Sequence, residues 1–223
     1  MTDEGAVYRS SLSEQVKDHL LRAILSGQYQ PDDRIVETRV AREVGTSQAP
    51  VREALRGLEA LGVVEILPFK GARVRRPTDT ELLEAYEVRA ELECLGARLG
   101  IPRLTDADLA EIEALHASMM EAATRDDRHD VALRDAAFHA RVLHLAGNAT
   151  LERVWRALEP FSRTYITLLA PGADTGWTAS LHHGILEAVK SRDPGAVELA
   201  LRDHFQQVSA SLLDRWSATI QSR

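Results

Sequence analysis

Cysteine is nearly absent. Cys94 is the one thiol in 223 residues, so neither an intramolecular disulfide nor a multi-cysteine metal site can form. Aromatic residues make up only 5% of the chain. Sheet-rich folds draw on aromatic and β-branched side chains, whereas this chain abounds in Ala, Leu, Arg and Glu, which favour helix. No apolar run approaches the roughly 18 residues needed to cross a bilayer, and the stretch from Met1 to Ser10 lacks an apolar signal core. A soluble, cytoplasmic protein with no membrane partner is therefore expected. Basic residues are outnumbered, 27 Lys and Arg against 34 Asp and Glu, for a net charge of −7. That balance argues against a protein coated in nucleic acid.

What charge there is lies unevenly. Residues 1–77 hold 12 basic and 11 acidic side chains, a net of +1, while residues 78–223 hold 15 and 23, a net of −8. Between residues 39 and 76 there are eight basic and four acidic residues, a net of +4. A small basic patch is thus joined to an acidic body. Chance variation along a solvated surface is one reading of this. A nucleic-acid-binding module attached to a body with another task is the other.

Periodicity supplies the elements. A first helix is expected over 13–26, with Ser13 as its cap and Leu12, Val16, Leu20 and Ile24 along one face. A short second helix runs from Glu37 to Val44, and a third starts near Gln48 after Thr46-Ser47, burying Val51, Leu55, Leu58 and Leu61. Residues 63–67, 68–71 and 72–75 read as strand, turn, strand. Three helices and a hairpin make the winged helix-turn-helix plan. From Asp79 onward the pattern is helical, with spans near 80–99, 105–125, 129–146, 150–170, 178–191 and 194–219. The expected fold is mainly α, with a winged helix-turn-helix domain over residues 1–76 and an all-α bundle over 77–223.

The segment Glu37 to Leu61, ETRVAREVGTSQAPVREALRGLEAL, carries a resemblance. Val40-Ala41, Gly45-Thr46-Ser47, Pro50 to Leu55, Leu58-Glu59, Gly62 and the wing glycine Gly71 follow the pattern of the DNA-binding domain of GntR-family bacterial transcription regulators. The chemistry agrees. A helix N-terminus with Thr46 and Ser47 beside it suits a phosphate. Gln48 and Arg52 lie one turn apart on the third helix, so both can reach base edges, Gln to adenine and Arg to guanine. Gln48 stands where the family often has Arg, which leaves the base preferred there open. Arg39, Arg42, Lys70 and the wing at Gly71 are placed to meet backbone phosphates. For Arg52 a surface ion pair with Glu53 or Glu59 is the competing role, and for Arg39 and Arg42 plain solvation.

Eight histidines invite a second question. Asp135 and His139 share a helical face with Val131, Val142, Leu143 and Ala146. His182 shares a stripe with Ile185, Leu186 and Val189, and His204 with Val197, Leu201 and Val208. His183, one residue on, falls on a polar stripe with Glu187 and Lys190. One carboxylate and three imidazoles therefore sit on apolar faces of three helices, and an unpartnered buried Asp is costly. A plain Asp–His hydrogen-bond network or a divalent metal site would each satisfy them.

Residues 80–217 resemble the FCD ligand-binding domain of FadR-type GntR regulators, through Tyr86 to Glu93, Asp135 to His139 with Gly147-Asn148, and His182 to His204. That resemblance implies a divalent metal held by Asp135, His139, His182 and His204, with zinc foremost and nickel or manganese also suited. It further implies a small organic-acid effector, a homodimer and a pseudo-palindromic double-stranded DNA operator, together making a metabolite-responsive regulator that acts as a repressor. Arg89 is a candidate anchor for the effector's carboxylate, against an intrahelical ion pair with Glu93; Arg163 is a weaker candidate. Asn148 is read as a cap and Cys94 as a small core residue. Because a His-rich site could also activate water, a metal-dependent hydrolase fused to a DNA-binding domain is the alternative.

Overall fold

The computed structural model describes residues 11–164 and 174–221, with side chains for residues 11–158 and 174–214. Backbone contacts divide the chain between Arg76 and Pro77 into two compact units.

The first unit contains α1 (Leu12–Leu25), β1 (Arg34–Ile35), α2 (Glu37–Glu43), α3 (Gln48–Ala60), β2 (Val64–Leu67) and β3 (Gly71–Val74). Ser11, not Ser13, caps α1: its hydroxyl accepts from the Glu14 amide, and the Ser13 hydroxyl bonds back to Ser11. The helix starts one residue earlier than its polar pattern suggests, and Leu12 is exposed instead of opening the buried stripe. Helix α1 packs against α3, and Val16, Leu20 and Ile24 on the one and Val51, Leu55 and Leu58 on the other are all buried. The sheet has the order β1-β3-β2, all antiparallel, with Val64 opposite Val74 and Leu67 opposite Gly71. Strand β1 was not expected; it pairs Arg34 with Arg73 and Ile35 with Ala72. Gly71 permits this pairing. Its φ is +85°, and a Cβ there would collide with the carbonyl oxygen of Ile35.

The second unit contains α4 (Asp79–Gly100), a 3-10 turn (Ile101–Arg103), α5 (Asp106–Thr124), α6 (Arg128–His144), α7 (Ala149–Thr164), α8 (Thr175–Ser180), α9 (His183–Ser191) and α10 (Pro194–Gln221). Two capping boxes start α4 and α5, Thr78 with Glu81 and Thr105 with Asp108. Asn148 accepts from the amides of Thr150 and Leu151 and so opens α7. The expected helix over 178–191 is two helices, broken at Leu181-His182. The last residues of the expected 150–170 helix lie outside the described part. Helix α10 lies along α4, and α5 along α6, around a core that includes Cys94, Ile112, Met119, Phe138, Ile185 and Leu201. Among the described residues no helix is long and apolar enough to cross a membrane.

The buried stripe of α4 positions the site. It runs Leu82, Ala85, Tyr86, Arg89, Ala90, Glu93, Cys94, Ala97 and Gly100, at the three- and four-residue spacing of one helical face. Two charged residues, Arg89 and Glu93, sit in the middle of that stripe and are 2% exposed.

Candidate metal centre and nucleic-acid interface

Helix α6 brings Asp135 and His139 inward, the α8–α9 break brings His182, and α10 brings His204. All four are buried. One nitrogen from each of the three histidines lies within 4.8 Å of the others. The Nε2 atoms of His139 and His182 are 3.1 Å apart, and Asp135 Oδ1 lies 2.9 Å from His182 Nε2 and 3.9 Å from His139 Nε2. His183 is exposed, with its ring beside that of His116.

The outer nitrogens fix the tautomers. His139 Nδ1 faces Glu93 Oε2 at 2.5 Å, and His182 Nδ1 faces the Thr178 carbonyl at 3.1 Å. A carboxylate and a carbonyl only accept, so both Nδ1 atoms must carry hydrogen. In a neutral ring the Nε2 atom is then a bare lone pair. Two such lone pairs and an Asp135 oxygen converge with nothing positive between them, an arrangement that is repulsive until a cation, either a proton or a metal, joins them. Two ligands bonded to one ion at about 2.1 Å stand about 3.0–3.4 Å apart. The 3.1 Å between the two Nε2 atoms falls in that range, whereas the 2.9 Å from Asp135 Oδ1 to His182 Nε2 is a hydrogen-bond distance, and the mutually close set is the three histidines, without Asp135. His204 Nδ1 is a fourth donor, buried and without a hydrogen-bond partner among the described residues.

The electrostatics follow the same pattern. Burial alone would push the Asp135 carboxyl up; with protons on the histidine rings, the alternative to a metal, the hydrogen bond from His182 and the positive charges of His139, His182 and Arg89 hold it well below the usual carboxylate range. Burial, with the neighbouring rings of His182 and His139, pushes His204 well below the usual histidine range and keeps it neutral, as a ligand must be.

Glu93 does more than its helical spacing predicts. The expected pair with Arg89 exists, Arg89 Nε to Glu93 Oε1 at 2.9 Å. The same carboxylate also takes His139 Nδ1, as above, and Trp155 Nε1 at 2.7 Å. Burial raises its pKa, but His139, Arg89 and Trp155 outweigh that and lower it to about 2. Arg89 lies over the rings of Trp155 and Phe205, at 5.4 and 5.3 Å, and its Nη2 is buried with no partner among the described residues. Burial works against the Arg89 charge, and Glu93 and Asp135 more than restore it. A cation with an unspent donor thus stands behind the histidines. The Arg163 side chain lies outside the described residues.

In the first unit, Gln48 and Arg52 of α3 face the β2–β3 wing across an open groove of about 560 Å³, lined also by Arg34, Thr38, Lys70 and Gly71. Ser47 holds the N-cap of α3 without a capping hydrogen bond of its own, Thr46 is half-buried beside it, and Gln48 is exposed. Arg39 and Arg42 are exposed on α2 and are not among the groove residues. Arg52 pairs with neither Glu53 nor Glu59. Its Nη2 and Nε reach both oxygens of Glu37, at 2.9 and 3.3 Å, while Glu59 accepts from the Ile66 amide. At the wing tip Phe69 has φ +60° and is fully exposed. The left-handed conformation costs an L-residue roughly 1–2 kcal/mol.

Comparison with known proteins follows this division. The model described as bacterial regulatory proteins, gntR family, matches residues 12–74, and the FCD domain model matches residues 84–207. Over 196 residues the chain is 33% identical to the probable D-xylose utilization operon transcriptional repressor of Paenarthrobacter nicotinovorans, covering 88% of this chain and 86% of the relative. It is 25% identical over 221 residues to the HTH-type transcriptional regulator McbR of Escherichia coli, covering 97% and 100%. Among solved structures, E. coli McbR/YncC matches with a TM-score of 0.82 at 24% identity, over 93% of this chain and 99% of that one. A putative transcriptional regulator GntR from Rhodococcus sp. RHA1 gives 0.82 at 23%, over 92% and 99%. At these identities the structural likeness speaks for the fold. These relatives are regulators by name, and the hydrolase alternative finds no support among them.

Proposed function

This chain belongs to the GntR family of bacterial transcription regulators, with an FCD domain and not an enzyme's fold, and on that premise we propose that it is a repressor governed by a carboxylate at a metal centre. Asp135, His139, His182 and His204 hold one divalent ion; zinc fits these donors, as do nickel and manganese. The observation that carries this reading is the convergence of the His139 and His182 Nε2 lone pairs on Asp135 Oδ1. An ion bound there supplies positive charge and coordination positions for an anionic oxygen ligand.

The chain's own residues do the rest. Glu93 and the Thr178 carbonyl orient the two rings through their Nδ1 hydrogens. Arg89, held by Glu93 and lying over the rings of Trp155 and Phe205, offers Nη2 as a second anchor for a small organic acid. In the winged domain Gln48 and Arg52 read base edges, while Thr46, Ser47, Arg39, Arg42, Lys70 and the wing at Gly71 meet the backbone. One such module reads few base pairs, so two copies on a pseudo-palindromic operator are needed for specificity. The exposed apolar residues Val88, Leu95 and Leu99 of α4 support a homodimer.

Elemental analysis tests the centre. Wild type and His183→Ala are expected to carry about one divalent ion per chain, and His182→Ala to lose it, because only His182 is turned inward. Equal content in both variants, or none in wild type, would refute the assignment.

A further inference from the structure

The wing tip holds a residue that costs the fold twice and returns nothing to it. Among the described residues Phe69 is the most exposed large apolar side chain, at 107% of its reference area. It sits at φ +60°, where Asn or Gly would be comfortable and a bulky side chain is not. The loop around it is firmly made. Leu67 and Gly71 are paired, the Lys70 amide donates to the Leu67 carbonyl, and Arg34 Nε donates to the Lys70 carbonyl at 2.6 Å. Phe69 is therefore presented on a braced three-residue tip, Pro68-Phe69-Lys70, instead of left on a frayed loop. Such a cost at an exposed site points to a ligand.

The surroundings identify that ligand. Phe69 lines the same groove as Gln48 and Arg52, on the wall opposite the recognition helix, with Arg34 and Lys70 beside it. When α3 lies in a major groove, a hairpin flanking it arrives at the adjacent backbone and the minor groove beyond. Cations flanking an exposed apolar tip suit that destination. Phosphates take the charges, and a phenyl ring can enter between two base pairs and partly unstack them.

We propose that Phe69, with Pro68 behind it, is a minor-groove wedge that kinks the operator and gives the protein a preference for easily unstacked pyrimidine–purine steps under the wing. This goes beyond reading by Gln48 and Arg52, since the preference arises from deformability and not from hydrogen bonds to bases.

The test uses the full-length protein and a duplex selected from a randomised library by wild type, with 2-aminopurine placed at the step under the wing. Phe69→Asn is the informative variant, because Asn accepts a positive φ and lacks the ring; its thermal midpoint is expected to equal or exceed that of wild type. Phe69→Asn should bind about 10-fold more weakly. It should also lose the fluorescence rise of unstacking and the bend, and keep the wild-type salt slope, because a phenyl ring releases no counterions. Lys70→Ala should instead lower that slope by about 1. Phe69→Leu, still a wedge, should retain most of the bend. Wild-type affinity and bend in Phe69→Asn would overturn the wedge, as would a loss of affinity accompanied by a changed salt slope. Arg52→Ala separates the premise from the proposal: if it loses operator binding while Phe69→Asn does not, DNA reading by α3 stands and the wedge alone falls.

Discussion

Glu93 shows how much one buried carboxylate can be asked to do. Its oxygens accept from Arg89 on its own helix α4, Trp155 on α7 and His139 on α6. Removing one partner of a buried charge pair is costly, while a fully satisfied cluster holds its members in place. If Glu93 orients the His139 ring, Glu93→Gln should weaken metal binding about 10–100-fold, the usual effect of losing such an outer partner. Competition with a chromophoric chelator measures this, and an unchanged affinity would show that the ring is held by packing alone. The Arg89–Glu93 pair was legible in the sequence, because four residues on a helix bring side chains together. The bond to His139, 46 residues away, was not, since the register between α4 and α6 depends on how their surfaces pack. The inward faces of Asp135, His139, His182 and His204 were legible for the opposite reason: each follows from the helical phase of its own segment.

At the level of elements, periodicity places α4 and α5 to within a few residues, while the capping boxes of Thr78 and Thr105 that start them emerge only from the structure. The break between α8 and α9 carries no Gly or Pro at Leu181-His182; α8 is packed against α5 while α9 meets both α5 and α10, and those contacts set the bend. Strand β1 is two residues long and is defined only by its partner β3. The α5 cap makes a prediction with a definite sign. Hydrogen bonds from the Thr105 hydroxyl and amide, then Arg141, lower Asp108 to about 2, against about 3.9 in an unfolded chain. A folded-state pKa below the unfolded one contributes stability that is complete above about pH 4 and is lost as pH falls towards 2. Asp108→Asn should therefore lower the urea midpoint at pH 6, and the gap from wild type should narrow as pH is brought from 4 to 2. A constant gap over that range would remove the charge from the explanation.

For the molecule as a whole, the segregation of charge already separates a basic module from an acidic body, and the motif from Val40 to Gly71 carries the former's family. Composition could not reveal that Arg52 meets Glu37 across the helix-turn-helix, because that contact joins the start of α2 to the middle of α3. Nor could it reveal that Arg89 Nη2 and His204 Nδ1 are buried with no partner among the described residues, which is a property of packing. On the proposed function these two atoms would meet the acid and its ion, and regulation requires that the acid favour one state of the protein over another. The most direct measurement is the operator affinity, by fluorescence anisotropy, of metal-loaded, metal-stripped and Asp135→Ala protein across a panel of small mono- and dicarboxylates, each protein first checked for native helicity. The account predicts that at least one acid shifts the affinity of the loaded wild type by about 5–150-fold and leaves the other two unmoved. An equal shift in all three proteins, or none in the loaded wild type, would contradict it.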